Sequence, residues 1–382
     1  MSSQDNRDNS SSGAVNRRNI LLASTTLGVA SAWGSTALAQ ITRAQAQTAQ
    51  EPVHIYGDNA MSPHTELQVR LSVAAQFPVH FFLENIAVRH DNSMLITVVT
   101  PKELYFLPPP RTDAEVAPVL LHTFDELATG IAELEPDLFV VISTNAYTTH
   151  ENYLHRVDLR GWNPGSRVEP EQILAFPKEV LALNGCCALS PMTMLAADSL
   201  AGAIWRIDFD GDGRSPRAKP WLQHESMAHV EDNLPPPPQP GINGLRYSAE
   251  TGYVYYTTTG QKLFMRVRVD PATLEPADVP ERIWGGGMYD DFCIDEARRA
   301  AYVTVHRENR IDHISLAPGE DAMRPLAGSP FDELLLGPSS AAWSRAPDEA
   351  GRVVYVTTDG GQTAPPPGTG VRNAKVLRME LV

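Results

Sequence analysis

The sequence is poor in cysteine and in basic residues, and it lacks two common motifs of nucleophilic and phosphate chemistry. Three cysteines among 382 residues, with no Cys-x-x-Cys pair, argue against thiolate zinc sites and dithiol redox chemistry. Lysine and arginine total 31 against 46 acidic residues, and the net charge of −15 argues against nucleic acid as a partner. Because neither a Gly-x-Ser-x-Gly motif nor a phosphate-binding loop occurs, a serine-elbow hydrolase and a P-loop enzyme are not expected.

Glycine and proline, by contrast, are plentiful. The chain has 26 glycines and 31 prolines, a density that disfavours a helical bundle, since each interior proline removes a helix hydrogen bond. A hydrophobic content of 42% and a charged content of 20% are ordinary for a folded protein. These values favour a folded protein that is not a helical bundle.

The first forty residues resemble an export signal. Arg17 and Arg18 form a twin-arginine pair, followed by an apolar stretch that ends near Leu38. Serine, threonine and glycine interrupt this stretch, so it is too mildly apolar for a membrane span. Ala37-Leu38-Ala39 matches a small-x-small cleavage site.

We therefore expect three regions: a twin-arginine signal peptide at 1–39, a flexible leader at 40–65 and a folded domain at 66–382. The mature protein would be periplasmic or secreted, with no membrane attachment after cleavage. A Sec-type signal and an uncleaved anchor are the alternatives.

A pattern of short β-strands recurs from residue 84 onward. The units start near residues 84, 130, 184, 243, 290 and 338, at intervals of 46 to 59 residues. A repeat of this length with four strands predicts an all-β fold, a six-bladed β-propeller with four-stranded antiparallel blades. The alternative is a β-sandwich followed by a second β domain, which the even spacing disfavours.

The sixth unit ends after three strands, so its edge needs a partner. The alternating segment Leu67–Val73 precedes the first unit. We predict that this N-terminal segment supplies the missing strand and closes the ring.

Residues with side-chain oxygens start four of the first five units: Glu84, Asn184, Asn243 and Asp290. The exception is Gly130, which starts the second unit. The first strand of each propeller blade lines the central channel, so these residues should meet at one mouth. Two carboxylates and two amide oxygens suit a hard cation, with Ca²⁺ expected and Mg²⁺ or Zn²⁺ as alternatives. The competing explanation is local turn formation by Asn and Asp, which leaves Glu84 unexplained.

The motifs Glu84–Val88, Asn184-Gly185, Asn243-Gly244-Leu245 and Asp290–Asp295 resemble those of the gluconolactonase, senescence-marker-protein and regucalcin family of six-bladed propellers. The resemblance covers about residues 84–360. It implies that Glu84, Asn184, Asn243 and Asp290 hold one divalent cation.

Sugar-lactonase members of that family carry an arginine two residues before the first Asn, and Ala182 stands there in this chain. That departure argues against an aldonolactone substrate. The Asn-Gly and Asp-Asp-Phe pattern is also similar to propellers of fungal biosynthetic clusters, some of which resemble cyclisation catalysts.

These features predict an exported, divalent-metal-dependent hydrolase of a lactone or related ester, acting on a small molecule and expected to be a monomer. Asp290 is the candidate general base, and His306 is a candidate acid, base or substrate-orienting residue. His150 and His155 are weaker candidates, for which loop or interstrand hydrogen bonding is the simpler explanation. The rival prediction is a propeller that binds a small molecule or promotes its cyclisation without hydrolysis.

Three further segments leave alternatives open. Cys186 and Cys187 either form a vicinal disulfide or are buried residues of an innermost strand. The stretch Asp208–Gly213 begins like a calcium loop, but Lys219 stands where an EF-hand needs glutamate, so a turn is favoured. The proline-rich run Leu234–Pro240 is either a rim segment or a spacer.

Overall fold

The computed structural model describes residues 54–56, 67–111, 114–211, 213–230, 239–320 and 322–382. The predicted signal peptide lies outside these residues, as does the predicted leader except for 54–56. No helix in the described ranges is long and apolar enough to cross a membrane.

The described strands form six antiparallel sheets arranged as propeller blades, as predicted. The first described strands are β1 (His54–Tyr56) and β2 (Val69–Val79), which belong to the last blade. Blade one contains β3 (Phe82–Val88), β4 (Met94–Thr100), β5 (Glu103–Leu107) and β6 (Val119–Thr123). Blade two contains β7 (Leu127–Glu135), β8 (Leu138–Thr144), β9 (Asn152–Asp158) and β10 (Glu171–Ala175).

The remaining blades repeat this order. Blade three contains β11 (Leu183–Ser190), β12 (Thr193–Asp198), β13 (Ala203–Asp208) and β14 (Arg217–Gln223). Blade four contains β15 (Ile242–Ser248), β16 (Tyr253–Thr258), β17 (Leu263–Arg268) and β18 (Glu281–Gly285). Blade five contains β19 (Tyr289–Asp295), β20 (Ala300–Val305), β21 (Arg310–Ser315) and β22 (Met323–Gly328). Blade six contains β23 (Pro338–Trp343), β24 (Val353–Thr358) and β25 (Asn373–Leu381), and short 3₁₀ helices occupy Glu225–Met227 and His306–Glu308.

The ring is closed by the N-terminal strand. β2 pairs antiparallel with β25, from Val69 opposite Leu381 to Val79 opposite Asn373. The predicted closing segment Leu67–Val73 therefore overlaps the first part of a longer strand, which begins at Val69. The short β1 lies within the predicted leader and adds a fifth strand outside β2.

Buried side chains fill the spaces between neighbouring blades. Successive residues of a strand point to opposite faces, so a middle strand contributes side chains to the interfaces with both neighbouring blades. In β16, Tyr256 packs in the cluster shared with blade three, whereas Tyr255 packs in the cluster shared with blade five. β8 is buried at every position, which explains the continuous apolar run of its sequence.

The structure decides between the alternatives for the vicinal cysteines and for the segment Asp208–Gly213. All three cysteines are free and buried. Cys186 and Cys187 point into the two different interfaces that flank blade three, so they are packing residues of an innermost strand. The segment Asp208–Gly213 connects β13 to β14, and the Gly213 amide donates to Asp210 O at 2.9 Å, as expected for a turn.

A polar cluster crosses the central channel, and two of its members, Asn85 and Asp291, directly follow the predicted ligands Glu84 and Asp290. The carboxylate of Asp291 accepts from Ser340 Oγ at 2.6 Å, from Asn85 Nδ2 at 3.3 Å and from the Arg246 guanidinium. Gly244 is required beside it, because a Cβ there would approach Asp291 Oδ1 to 2.5 Å. This cluster ties innermost strands of four blades together.

Candidate functional site

Glu84, Asn184, Asn243, Asp290 and His306 all line one cavity of about 110 Å³ at the channel mouth. The first four lie near the starts of β3, β11, β15 and β19, as the repeat spacing predicted. His306 begins the 3₁₀ helix that follows β20. Glu84, Asn243 and Asp290 are buried, with exposures of 7%, 4% and 4%. The structure thus brings the sequence-predicted residues together, while their roles stay predictions.

A recurring β-bulge places these residues at the mouth. The pairing of the first two strands shifts register between Ile242 and Leu245 in blade four and between Tyr289 and Phe292 in blade five. Such a bulge leaves a backbone amide without its ladder partner. In blade four, Thr257 Oγ1 accepts from the Gly244 amide at 2.8 Å.

Thr257 also forms a hydrogen bond to the neighbouring blade. Thr257 Oγ1 donates to the backbone oxygen of Asp290, and Thr304 donates to Ser339 O in the same manner one blade further on. Thr97 does so between blades one and two. Thr257 therefore fixes the backbone of Asp290 in the next blade. This recurrence, a threonine in the second strand of a blade, is a signal in the sequence that lies outside the motifs at the unit starts.

Burial and crowding of acids control the electrostatics of the cavity. Burial raises the pKa of Glu84 well above its usual range, and the nearby Asp290 charge raises it further. Burial likewise raises the pKa of Asp290 to about 7, while His306 opposes that shift. Among the described residues, no group donates a hydrogen bond to the Glu84 carboxylate. A group that relieves this concentration of buried carboxylates would be favoured in the cavity.

His306 is held between two carboxylates. Its Nε2 lies 3.1 Å from Asp359 Oδ2 and its Nδ1 lies 3.4 Å from Asp290 Oδ2. Burial alone would lower the pKa of His306, but the charges of Asp359, Asp290 and Glu84 raise it to about 9. His306 is therefore an imidazolium at neutral pH that partly neutralises the acids.

Asp359 is the functional candidate that the sequence did not reveal. It follows β24 in blade six, is fully buried, and accepts from the Gly361 amide at 2.6 Å and from Thr363 Oγ1 at 3.0 Å. Gly337, at φ +61°, packs directly against it, and a Cβ there would overlap its carboxylate. In the sequence, Asp359 precedes two glycines and so resembles an ordinary turn residue.

The donor set fits a hard divalent cation. The Asn184 Oδ1 atom is buried and has no hydrogen-bond partner, which is costly unless a ligand supplies one. Asn243 Nδ2 donates to Asp290 Oδ1 at 2.6 Å and to Thr259 Oγ1 at 2.9 Å, leaving the amide oxygen as the atom for a cation. The described residues contain no cluster of three or more His, Cys, Asp or Glu side chains placed to hold a metal ion. A cation in this cavity would therefore depend on amide oxygens as well as carboxylates.

The other sequence candidates lie elsewhere. His155 Nε2 lies 2.8 Å from Ser143 Oγ within blade two, and burial lowers its pKa to about 4. His150 Nδ1 faces the Leu181 backbone oxygen at 3.2 Å. Neither lines the cavity, so both fit the hydrogen-bonding explanation. Of the proline-rich run, the described Gln239 and Pro240 line the cavity rim.

Comparison with known proteins gives a shared fold and distant relatives. No family profile matches the sequence. A Sarocladium schorii protein named "Putative hetero-Diels-Alderase asR5" is 23% identical over 318 residues, which cover 75% of this chain and 77% of the relative. Among solved structures, the calcium-binding protein regucalcin from Agrobacterium tumefaciens has a TM-score of 0.54 and 14% identity, covering 81% of this chain and 95% of that one.

A gluconolactonase from Xanthomonas campestris also has a TM-score of 0.54, with 10% identity over 83% of this chain and 90% of that structure. At these identities the likeness establishes the fold. The chain is a six-bladed propeller of the kind seen in gluconolactonase and regucalcin, and the family resemblance read from the motifs is confirmed at that level.

Proposed function

We propose that the protein is a divalent-cation-dependent hydrolase of a lactone or related ester, with its active site at the channel mouth. The observation that carries the proposal is the convergence of two buried carboxylates and an unpartnered amide oxygen in one cavity. Glu84, Asn184, Asn243 and Asp290 would hold the cation, which we expect to be Ca²⁺. When bound, it would supply Lewis-acid polarisation of the substrate carbonyl.

Asp290 acts as the general base in this proposal. A base is most effective when its pKa lies near the working pH, and with no cation bound burial raises the pKa of Asp290 to about 7. Asn243 fixes one carboxylate oxygen, and His306 faces the other. Asp290 therefore takes the proton of the attacking water in a fixed orientation.

His306 and Asp359 orient the reacting groups. Asp359 accepts from His306 and keeps the ring directed at Asp290. Phe82 lies against the ring of His306 at 5.4 Å between centroids, which limits its movement further. His306 thus stabilises negative charge in the cavity.

A second function, promotion of a cyclisation without hydrolysis, is favoured by the relative whose name denotes a hetero-Diels-Alderase. In that case the same residues would bind and polarise a carbonyl compound, and water would be excluded. We further propose that the twin-arginine segment exports the protein to the periplasm or beyond, where it acts as a monomer on a small molecule.

A panel of lactones and esters, assayed on the purified protein with Ca²⁺ and with a chelator, tests the proposal. Hydrolysis that the chelator abolishes and Ca²⁺ restores supports it. Hydrolysis insensitive to the chelator would reject the cation, and no hydrolysis together with binding of a carbonyl compound would favour cyclisation.

A further inference from the structure

We infer that the substrate is a compound whose carbonyl is its main polar group and whose body is hydrocarbon, rather than a polyhydroxylated sugar lactone. The inference rests on the proposed function for the identity of the site and adds the class of molecule that fits it. Its evidence is the hydrogen bonding and the carbon surface of the cavity wall.

Apart from the exposed Tyr147, the hydroxyl groups of the wall are engaged within the protein. A hydroxyl has one proton to donate, and five lining side chains each donate theirs to a protein acceptor. These bonds are Thr129 Oγ1 to Leu183 O (3.1 Å), Thr144 Oγ1 to Asn152 Oδ1 (2.7 Å), Ser199 Oγ to Ile242 O (2.7 Å), Thr259 Oγ1 to Tyr289 O (2.7 Å) and Thr363 Oγ1 to Asp359 Oδ2 (3.0 Å). The wall therefore offers a substrate few hydroxyl donors.

Several amide donors of the same wall are also in use. Asn243 Nδ2 donates to Asp290 and Thr259. The Ala182 backbone amide donates to Asp198 Oδ1 at 3.0 Å, and the Leu183 amide donates to Asn152 Oδ1 at 2.9 Å. Ring hydroxyls of a sugar lactone would lose water and find few equivalent donors there.

Carbon surface completes the wall. Phe82, Val99 and Leu127 line the cavity from blades one and two, Leu200 lines it from blade three, and Pro240 lines it just before β15. All five are only partly buried by the protein, so they present apolar surface to whatever enters. Covering that surface favours a hydrocarbon body, while the carboxylates and the Asn184 oxygen stay at the polar end.

The test compares two six-membered lactones, δ-decanolactone and D-glucono-δ-lactone, with the full-length purified protein and saturating Ca²⁺. We expect kcat/KM for the alkyl lactone to exceed that for the sugar lactone by about 10²-fold or more, corrected for spontaneous opening. Equal values, or a preference for the sugar lactone, would overturn the inference.

Two isosteric variants locate the preference in the wall. Val99→Thr places a hydroxyl on the cavity surface and should lower the ratio of the two kcat/KM values by about 5-fold to 10-fold. Val98→Thr makes the same change at a residue buried in the blade and outside the cavity lining. It should lower the thermal midpoint and leave the ratio unchanged. A ratio altered only by Val98→Thr would place selectivity outside this wall and contradict the inference.

Failure of the proposed function is separable from failure of this inference. If neither lactone is hydrolysed, the hydrolase proposal fails, and calorimetric binding of the two unreacted lactones decides the substrate class. Tighter binding of δ-decanolactone supports the inference. Equal binding, tighter binding of the sugar lactone, or no binding of either would overturn it.

Discussion

His306 Nε2 lies 3.1 Å from Asp359 Oδ2, and this contact joins blade five to blade six beside the cavity. Asp359 is itself held by a backbone amide and a threonine hydroxyl, so it is a rigid acceptor. The imidazole is consequently fixed with its other nitrogen toward Asp290. The orientation of the His306 ring in the cavity therefore depends on Asp359, a residue outside the repeat motifs.

Replacing Asp359 by Asn should weaken turnover more than substrate binding. The Asn side chain keeps the size and one acceptor but removes the charge that holds His306 as an imidazolium. We expect kcat to fall about 10-fold, with KM nearly unchanged, and the pH profile to move as the pKa of His306 decreases. Asp312→Asn is the control, since Asp312 is also buried, but its partner Arg310 does not line the cavity, whereas His306, the partner of Asp359, does. Equal losses in both variants would mean that Asp359 is only structural.

The His306 pKa also predicts a pH dependence of stability. The pKa is raised from 6.5 to about 9 in the folded protein, so the folded state binds more protons than the unfolded state between these values. The stabilising contribution is fully present below pH 6.5 and is lost as pH rises through 9. In chelator, the free energy of unfolding of the wild type should fall across this window. The raised pKa values of Asp290 and Glu84 add to the fall as these carboxyls lose their protons, and His306→Gln should reduce the part of the decrease that lies above the Asp290 pKa of about 7.

His155→Gln serves as the comparison for that experiment. The pKa of His155 is lowered to about 4 by burial, so its contribution changes only below pH 6.5. This variant should keep the wild-type decrease between pH 6.5 and 9. Parallel curves for wild type and His306→Gln in urea unfolding would contradict the assignment of the imidazolium.

Much of the architecture was predictable from the sequence because every blade repeats the same local pattern. The positions of Glu84, Asn243 and Asp290 followed from counting along the repeat, and the closing strand followed from the edge left by blade six. Asp359 was not predictable, since its partner His306 is 53 residues away in sequence and the contact depends on how two blades meet. The hydrogen bond from Thr257 to the Asp290 backbone oxygen was likewise not predictable, because it links the second strand of one blade to the next blade.

Ring closure should depend on the buried face of β2. Leu71 is fully buried and packs in the cluster that contains Leu377 and Met379. Leu71→Ala should lower the free energy of unfolding by about 2–5 kcal/mol through lost burial and a residual cavity. Gln76→Ala, at an exposed position of the same strand, should change it by less than about 0.5 kcal/mol. Similar denaturant midpoints for the two variants would show that β2 is not needed for closure.

The role of Asp290 as base is tested by Asp290→Asn. The change keeps an oxygen and the side-chain size but removes charge and basicity. We expect hydrolysis to fall by about 10²-fold or more, with partial cation occupancy retained at saturating Ca²⁺. His306→Gln should cost less, because His306 orients groups rather than taking the proton. The reverse ranking in steady-state assays would move the base to His306.

The central claim is that a divalent cation is held at the channel mouth by Glu84, Asn184, Asn243 and Asp290. Substitution of Asn184 gives the most direct test. Because Asn184 Oδ1 is buried and unpartnered, Asn184→Ala should leave the chelated protein as stable as wild type or slightly more stable. Ca²⁺ at about 100 times its Kd should stabilise the wild type by about 2.7 kcal/mol, and Asn184→Ala should lose most of this gain. The measurement is the thermal midpoint of both proteins with and without Ca²⁺. A calcium-dependent rise confined to the wild type is the predicted result, and a wild type whose midpoint Ca²⁺ does not change would contradict the account.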